Sequence, residues 1–130
     1  MPEQVIGWLL GQEDRERLLA AMPAAYARVV AHHVTLSVDG PADAPLPMEL
    51  PGCVVGLADD GAGVQALVVE IGGTTQRPDG SAYHITWSLA DGRKAVDSND
   101  VIRRFGWTVL TERIPVRLRT PFRTSYRLAT

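Results

Sequence analysis

The sequence predicts an α+β fold with mainly antiparallel sheet. An early segment repeats apolar residues at three- and four-residue steps, the period of a helix, whereas several later segments alternate every two residues, the period of a strand. Their order is helix, strand, hairpin, strand, short helix, strands, which is the mixed pattern of that class. The 130 residues are most economically one domain over 1–130, long enough for a core without disulfides or a structural metal.

Residues 13–30 read as helical, because Leu18, Leu19, Met22, Tyr26, Val29 and Val30 fall on one stripe while Arg15, Arg17 and Arg28 can stay in water. Pro23 interrupts the stripe, so a kink or two abutting helices is expected. Residues 32–38 turn to two-residue alternation and read as a strand. Four prolines in 39–51 rule out a regular element there. The apolar runs 53–57 and 64–71, joined by Asp59-Asp60-Gly61-Ala62-Gly63, read as a β-hairpin. A Gly- and Thr-rich loop over 72–81 leads into a strand at 82–89, and Asp91-Gly92 makes a turn. Ser98-Asn99-Asp100 offers an N-cap to a short helix ending near Phe105-Gly106. Strands near 107–111 and 113–119 complete the count, with Arg123 and Arg127 assigned to a tail.

An apolar fraction of 45% with 22% charged residues is ordinary for a soluble globular chain. No stretch reaches the roughly 18 apolar residues of a membrane span, and Met1-Pro2-Glu3-Gln4 lacks the basic start of a secretory leader. Cys53 is the single cysteine, which excludes an internal disulfide and a thiolate-rich metal site. A cytoplasmic protein with no membrane partner is expected. The chain holds thirteen basic and fifteen acidic residues. Seven arginines and one acid lie beyond residue 100, leaving six basic and fourteen acidic residues in the first hundred. In 113–119, Ile114, Val116 and Leu118 alternate with Arg113, Pro115, Arg117 and Arg119. That basic stripe would either grip backbone phosphates or pair with the acidic remainder along a soluble edge strand.

Two tetrapeptides carry the chemistry: His33-Val34-Thr35-Leu36 and His84-Ile85-Thr86-Trp87. In an extended strand each puts an imidazole and a hydroxyl on one face and two apolar side chains on the other. Two such faces around one pocket would supply two proton-transfer groups and two hydroxyl donors. That set can break a phosphodiester without metal. A single His-x-Thr is weak evidence, but the matched pair is sharper. His32, offset by one position, is expected to face the other way and to be structural.

The two strings resemble the paired His-apolar-Thr/Ser-apolar signatures of the two-histidine phosphoesterase superfamily. Tyr83-His84-Ile85-Thr86-Trp87-Ser88-Leu89 followed by Asp97-Ser98-Asn99 is most similar to its tRNA-ligase-like, RNA-repair branch. The likeness covers about residues 30–120. It implies a compact bilobal α+β fold, each lobe's sheet giving one motif to a central cleft. It also implies a hydrolase opening a 2′,3′-cyclic phosphate of RNA or a nucleotide. One histidine would take a proton from water and the other would give one to the departing ribose oxygen. Thr35 and Thr86 would hold the non-bridging oxygens. Ser37 and Ser88 continue the same strand faces and are candidate substrate contacts, as is Arg77 in the loop before the second motif. No cofactor and no metal is implied; the partner is an RNA end or small nucleotide, beside RNA-repair enzymes such as a ligase or kinase.

Other chemistries fit poorly. Adjacent His32 and His33 point apart in a regular strand, so a closed zinc tetrahedron with His84 and Cys53 is not expected. No Gly-x-x-x-x-Gly-Lys loop and no Gly-x-Ser-x-Gly elbow is present. Three alternatives remain open: a phosphodiesterase for a cyclic mono- or oligonucleotide signal, a non-catalytic nucleotide- or RNA-binding module, and an unrelated α+β interaction domain in which both strings are chance. Tyr83 and Trp87 are expected to pack in the core.

Overall fold

A computed structural model of the chain describes residues 4–40 and 47–125. Seven strands and two helices are present among them: β1 (Gln4–Leu10), α1 (Gln12–Ala21), β2 (Arg28–Val29), β3 (His33–Gly40), β4 (Leu50–Asp59), β5 (Val64–Glu70), β6 (His84–Leu89), α2 (Asp97–Phe105) and β7 (Thr108–Ser125). Every pairing is antiparallel. The α+β class with mainly antiparallel sheet is therefore observed.

The strands close on themselves. They run β6-β3-β1-β7-β4-β5, and β5 pairs again with β6. Two separate lobes are not formed, because β1 and β7 tie the two histidine-bearing halves into one ring. Since β5 occupies one edge of β6, β2 and β3 share the other. Arg28↔Leu89 and Val29↔Ser88 are followed by backbone bonds from Val30 to Trp87 and Ala31 to Thr86, and then by Val34↔Ile85.

Alternation along each strand sorts the side chains. Trp8, Leu10, Val34, Val54, Leu67, Val69, Ile85, Trp87, Val116 and Leu118 fill the interior, with Leu18 of α1 packed against them. Trp87 is fully buried and its indole N–H donates to the Met22 carbonyl at 2.7 Å. Burying each such side chain contributes about 1.5–3 kcal/mol. A second cluster lies on the outer side of β4 and β5, where Val101 and Ile102 of α2 cover Val55, Ala58, Val64, Ala66 and Val68. β6 consequently has both faces buried.

Several expectations need correction. The helix ends at Ala21, not near residue 30, because Pro23 disfavours helical geometry at Met22. The three-and-four spacing beyond it belongs to a bend and to β2. β1 was not foreseen: its run Val-Ile-Gly-Trp-Leu-Leu shows no polar alternation. α2 starts at Asp97, before the expected Ser98 cap, and Ser98 lies inside it, fully buried. The two C-terminal strands are one long strand, β7, and it is no edge, since β1 and β4 flank it. Arg123 belongs to that strand, opposite Ile6, rather than to a tail. Arg127 and residues 41–46 of the proline-rich loop lie outside the described residues. The 59–63 hairpin and the inward Val116 and Leu118 are as expected.

Candidate active site

Val34 pairs with Ile85, and both are fully buried inside the ring. The residues flanking them in sequence therefore point outward. The antiparallel sense sets the two His-x-Thr strings side by side on the outer side of the ring, with His33 toward the Thr86 end and Thr35 toward the His84 end, and on that side the β6 string is buried. They sit on neighbouring strands of one sheet, not on separate lobes.

The junction is irregular, and the irregularity shapes the site. Ala31 bonds Thr86, while Val34 already pairs with Ile85, so three steps on one strand oppose one on the other. This bulge is accommodated by Ala31 at φ 45°, a left-handed conformation rare for a residue with a Cβ. It also re-aims His32. Its ring, expected on the opposite face, meets that of His33 edge-on, with the two Nδ1 atoms 3.0 Å apart.

His84 leaves 9% of its surface exposed, and its Nδ1 lies 2.9 Å from the Ala82 carbonyl. A carbonyl only accepts, so His84 carries its proton on Nδ1, and in the neutral ring Nε2 keeps a lone pair. Burial, against the helping Ala82 bond and with the Arg77 charge adding to it, lowers its pKa to about 4. His33 is half-buried, and burial followed by the His32 and His84 imidazoles likewise lowers it to about 4. Both rings are neutral at pH 7.

Arg77 ties the site together. Only 5% exposed, it donates from Nε to Ser81 Oγ (2.8 Å), from Nη1 to the Thr35 carbonyl (3.4 Å), and from Nη2 to Asn99 Oδ1 (3.4 Å) and Asp79 Oδ2 (3.5 Å). The loop bearing it is fixed by backbone bonds from Arg77 to Ser81 and from Tyr83 to Thr75. One buried guanidinium thus joins β3, α2 and the segment leading to His84. Its bonds to Thr35, Asp79 and Asn99 are long, and a bound anion can compete for them.

Thr86 is tucked beneath α2, its hydroxyl 2.9 Å from Ser98 Oγ and 3.3 Å from the Ala95 carbonyl. Ser88 does not line a cleft. It is fully buried, donates to Gln65 Oε1 at 2.6 Å and accepts from the Tyr26 N–H, in a network that clamps the 23–26 bend. Ser37 lies two positions beyond Thr35 on β3, half-buried. A cavity of about 460 Å³ opens between the Arg77 loop and α2, lined by Asp79, Gly80, Ser81, Ala82, Asn99, Asp100, Ile102 and Arg103. Its wall shares Asp79 and Asn99 with Arg77 and Ala82 with His84, and its size suits a small ligand.

Sequence reasoning overlooked His32, Ser98 and Asn99 as members of this site. Nothing in the sequence announces a bulge at Ala31, and Ser98-Asn99 carries the stronger local signal of a helix cap. The basic stripe sits elsewhere. β7 is three strands from β6 in either direction around the ring, and there Arg113 pairs with Glu70 and Arg117 with Glu49. Among the described residues, no three His, Cys, Asp or Glu side chains gather as a metal site, and no helix is long and apolar enough to cross a membrane. The chain matches no family model, no curated protein and no solved structure.

Proposed function

We propose that the chain is a compact two-histidine phosphoesterase, a metal-independent hydrolase that opens a 2′,3′-cyclic phosphate on a nucleotide or a short RNA end. The observation that carries this reading is the Val34↔Ile85 pairing, which lays both His-x-Thr strings antiparallel on the same side of the sheet. Arg77 beside them supports it, because a buried guanidinium in contact with Thr35 is suited to an anionic substrate.

In this mechanism His84, protonated on Nδ1, uses its free Nε2 to take a proton from the attacking water. His33 supplies a proton to the ribose oxygen that leaves phosphorus. Thr35 and Arg77 hold the non-bridging oxygens as charge builds on them, while Thr86, bonded to Ser98 and the Ala95 carbonyl, anchors β6 beneath α2. The phosphate's own negative charge opposes the burial that keeps both imidazoles uncharged, since an anion close to an imidazole raises its pKa. A small substrate is favoured over long RNA: the arginine stripe lies across the ring from β6, and two of its members already face carboxylates. The lone Cys53 suits a cytoplasmic setting.

The test is turnover of 2′,3′-cyclic AMP in the presence of EDTA, with His33→Ala and His84→Ala as comparisons. Activity untouched by EDTA and reduced at least about 100-fold in each variant is expected. Binding without turnover would make the chain a nucleotide-binding module instead. Turnover of a 3′,5′-cyclic or oligonucleotide substrate alone would move it to signal degradation.

A further inference from the structure

The cavity between the Arg77 loop and α2 has a polar wall that the proposed chemistry leaves unused. Its volume of about 460 Å³ is that of a small-molecule site rather than of an ion site. Ala82 and Ile102 give it an apolar side, and Asp79, Asn99, Asp100 and Arg103 give it a polar one. It adjoins the proposed reaction centre through two residues. The Ala82 carbonyl accepts from His84 Nδ1, and Arg77 donates from Nη2 to Asn99 and Asp79 while its Nη1 reaches the Thr35 carbonyl.

We propose that this cavity is a nucleobase subsite and that it selects guanine: the Asn99 amide donates to O6, and the Asp100 carboxylate accepts from N1–H and from the 2-amino group. The inference rests on the reading above that the ligand is a nucleotide.

Bonds already made in the wall set the direction of these contacts. A guanidinium only donates, so the Asn99 atom 3.4 Å from Arg77 is Oδ1, and its NH2 group is turned away from Arg77. No buried side-chain nitrogen or oxygen among the described residues lacks a partner. The Asn99 NH2, which bonds none of those residues, is therefore accessible, and Asn99 lines the cavity. Next to it on α2, Asp100 Oδ1 accepts from Arg103 at 2.6 Å, which leaves Oδ2 to accept from a ligand.

Consecutive residues thus offer a donor followed by a carboxylate. The pairing edge of guanine is the complement, an acceptor followed by two donors. Adenine reverses the order, setting its 6-amino group against the Asn99 donor and its N1 lone pair against the carboxylate. Hypoxanthine keeps O6 and N1–H but lacks the amino group. Charge favours the same choice. Asp79 is held below the usual carboxylate range by the Ser81 hydroxyl and, against burial, by the Ser81 N–H and Arg77. The wall therefore carries two carboxylates to the single guanidinium of Arg103, which suits a donor-rich base and keeps the phosphate on the Arg77 side. Arg103 is exposed at the rim, where its planar group can stack on the base.

The experiment compares kcat/KM for wild type, Asp100→Asn and Asn99→Asp on the 2′,3′-cyclic phosphates of guanosine, inosine and adenosine. In parallel, ¹⁵N–¹H spectra follow the Asn99 side-chain amide as guanosine 2′-monophosphate or inosine 2′-monophosphate is added. Wild type should prefer guanosine to both others by at least about tenfold, the worth of one charge-assisted bond. The guanosine nucleotide should shift the Asn99 amide at lower concentration than the inosine one. Asp100→Asn should bring guanosine and inosine within about twofold of each other. Asn99→Asp keeps an oxygen for Arg77 but removes the donor, and should lose at least about tenfold on guanosine. A wild type that turns over these substrates without preferring guanosine, or a preference that survives either substitution, would overturn the subsite and leave the phosphodiesterase standing. A guanosine-selective shift of Asn99 without turnover of any substrate would remove the hydrolase and keep the subsite. Neither turnover nor shift would end both.

Discussion

The Ala82 carbonyl, 2.9 Å from His84 Nδ1, fixes more than a tautomer. His84 has a pKa of about 4 in the fold, against about 6.5 in an unfolded chain. Between those values the unfolded chain binds more protons, so stability is complete above about pH 6.5 and falls as pH drops toward 4. The loss from His84 reaches at most about 3 kcal/mol. Urea midpoints at pH 7 and pH 4.5 should show that fall, and His84→Gln should shed part of it; an unchanged slope in the variant would contradict the burial described. Carboxylates held low, such as Asp14 and Asp60, lose their stabilising contribution only at more acid pH. That His33 and Thr35, and His84 and Thr86, lie opposite the buried Val34 and Ile85 follows from a strand's period of two, but the burial of His84 and Thr86 was not legible in the sequence. Ser88 shares that alternation but is buried, because the sequence does not show that the 23–26 bend folds over it.

Among elements, the approach of β1 to β3 positions the site. Gly7 sits so close to β3 that a Cβ there would meet the Val34 carbonyl and the Leu36 N–H. Gly7→Ala should therefore push back Val34, the residue whose pairing with Ile85 aligns the two strings. A loss of about 1–3 kcal/mol is expected by urea titration, with a drop in kcat larger than that seen for an equally destabilising change at β7. A silent Gly7→Ala would show that β3 is not held from behind by β1. β7 makes the opposite case. Arg113→Ala with Arg117→Ala should leave KM for a cyclic mononucleotide within about twofold, and steepen no salt dependence, because surface pairs contribute little. β1 itself escaped notice because its glycine and continuous apolar run lack the alternation that identifies a half-exposed strand, whereas the 53–57 and 64–71 hairpin declared itself through Asp-Asp-Gly-Ala-Gly.

For the molecule as a whole, ring closure explains why both histidine strings share one side of the sheet. The chain order alone suggested two halves, and a ring was not readable, because long-range pairing of β1 with both β3 and β7 leaves no local trace. Removing residues 1–10 takes out the strand between β3 and β7. Such a chain should lose cooperative unfolding altogether; retention of a sharp transition would mean the ring is not the folding unit. The most direct test of the central claim is a titration of ¹⁵N-histidine protein with adenosine 2′-monophosphate, following both rings by pH. The account predicts that His33 and His84 respond together, each pKa rising from about 4 as the phosphate binds. A response confined to one ring, or to neither while the nucleotide binds, would contradict it.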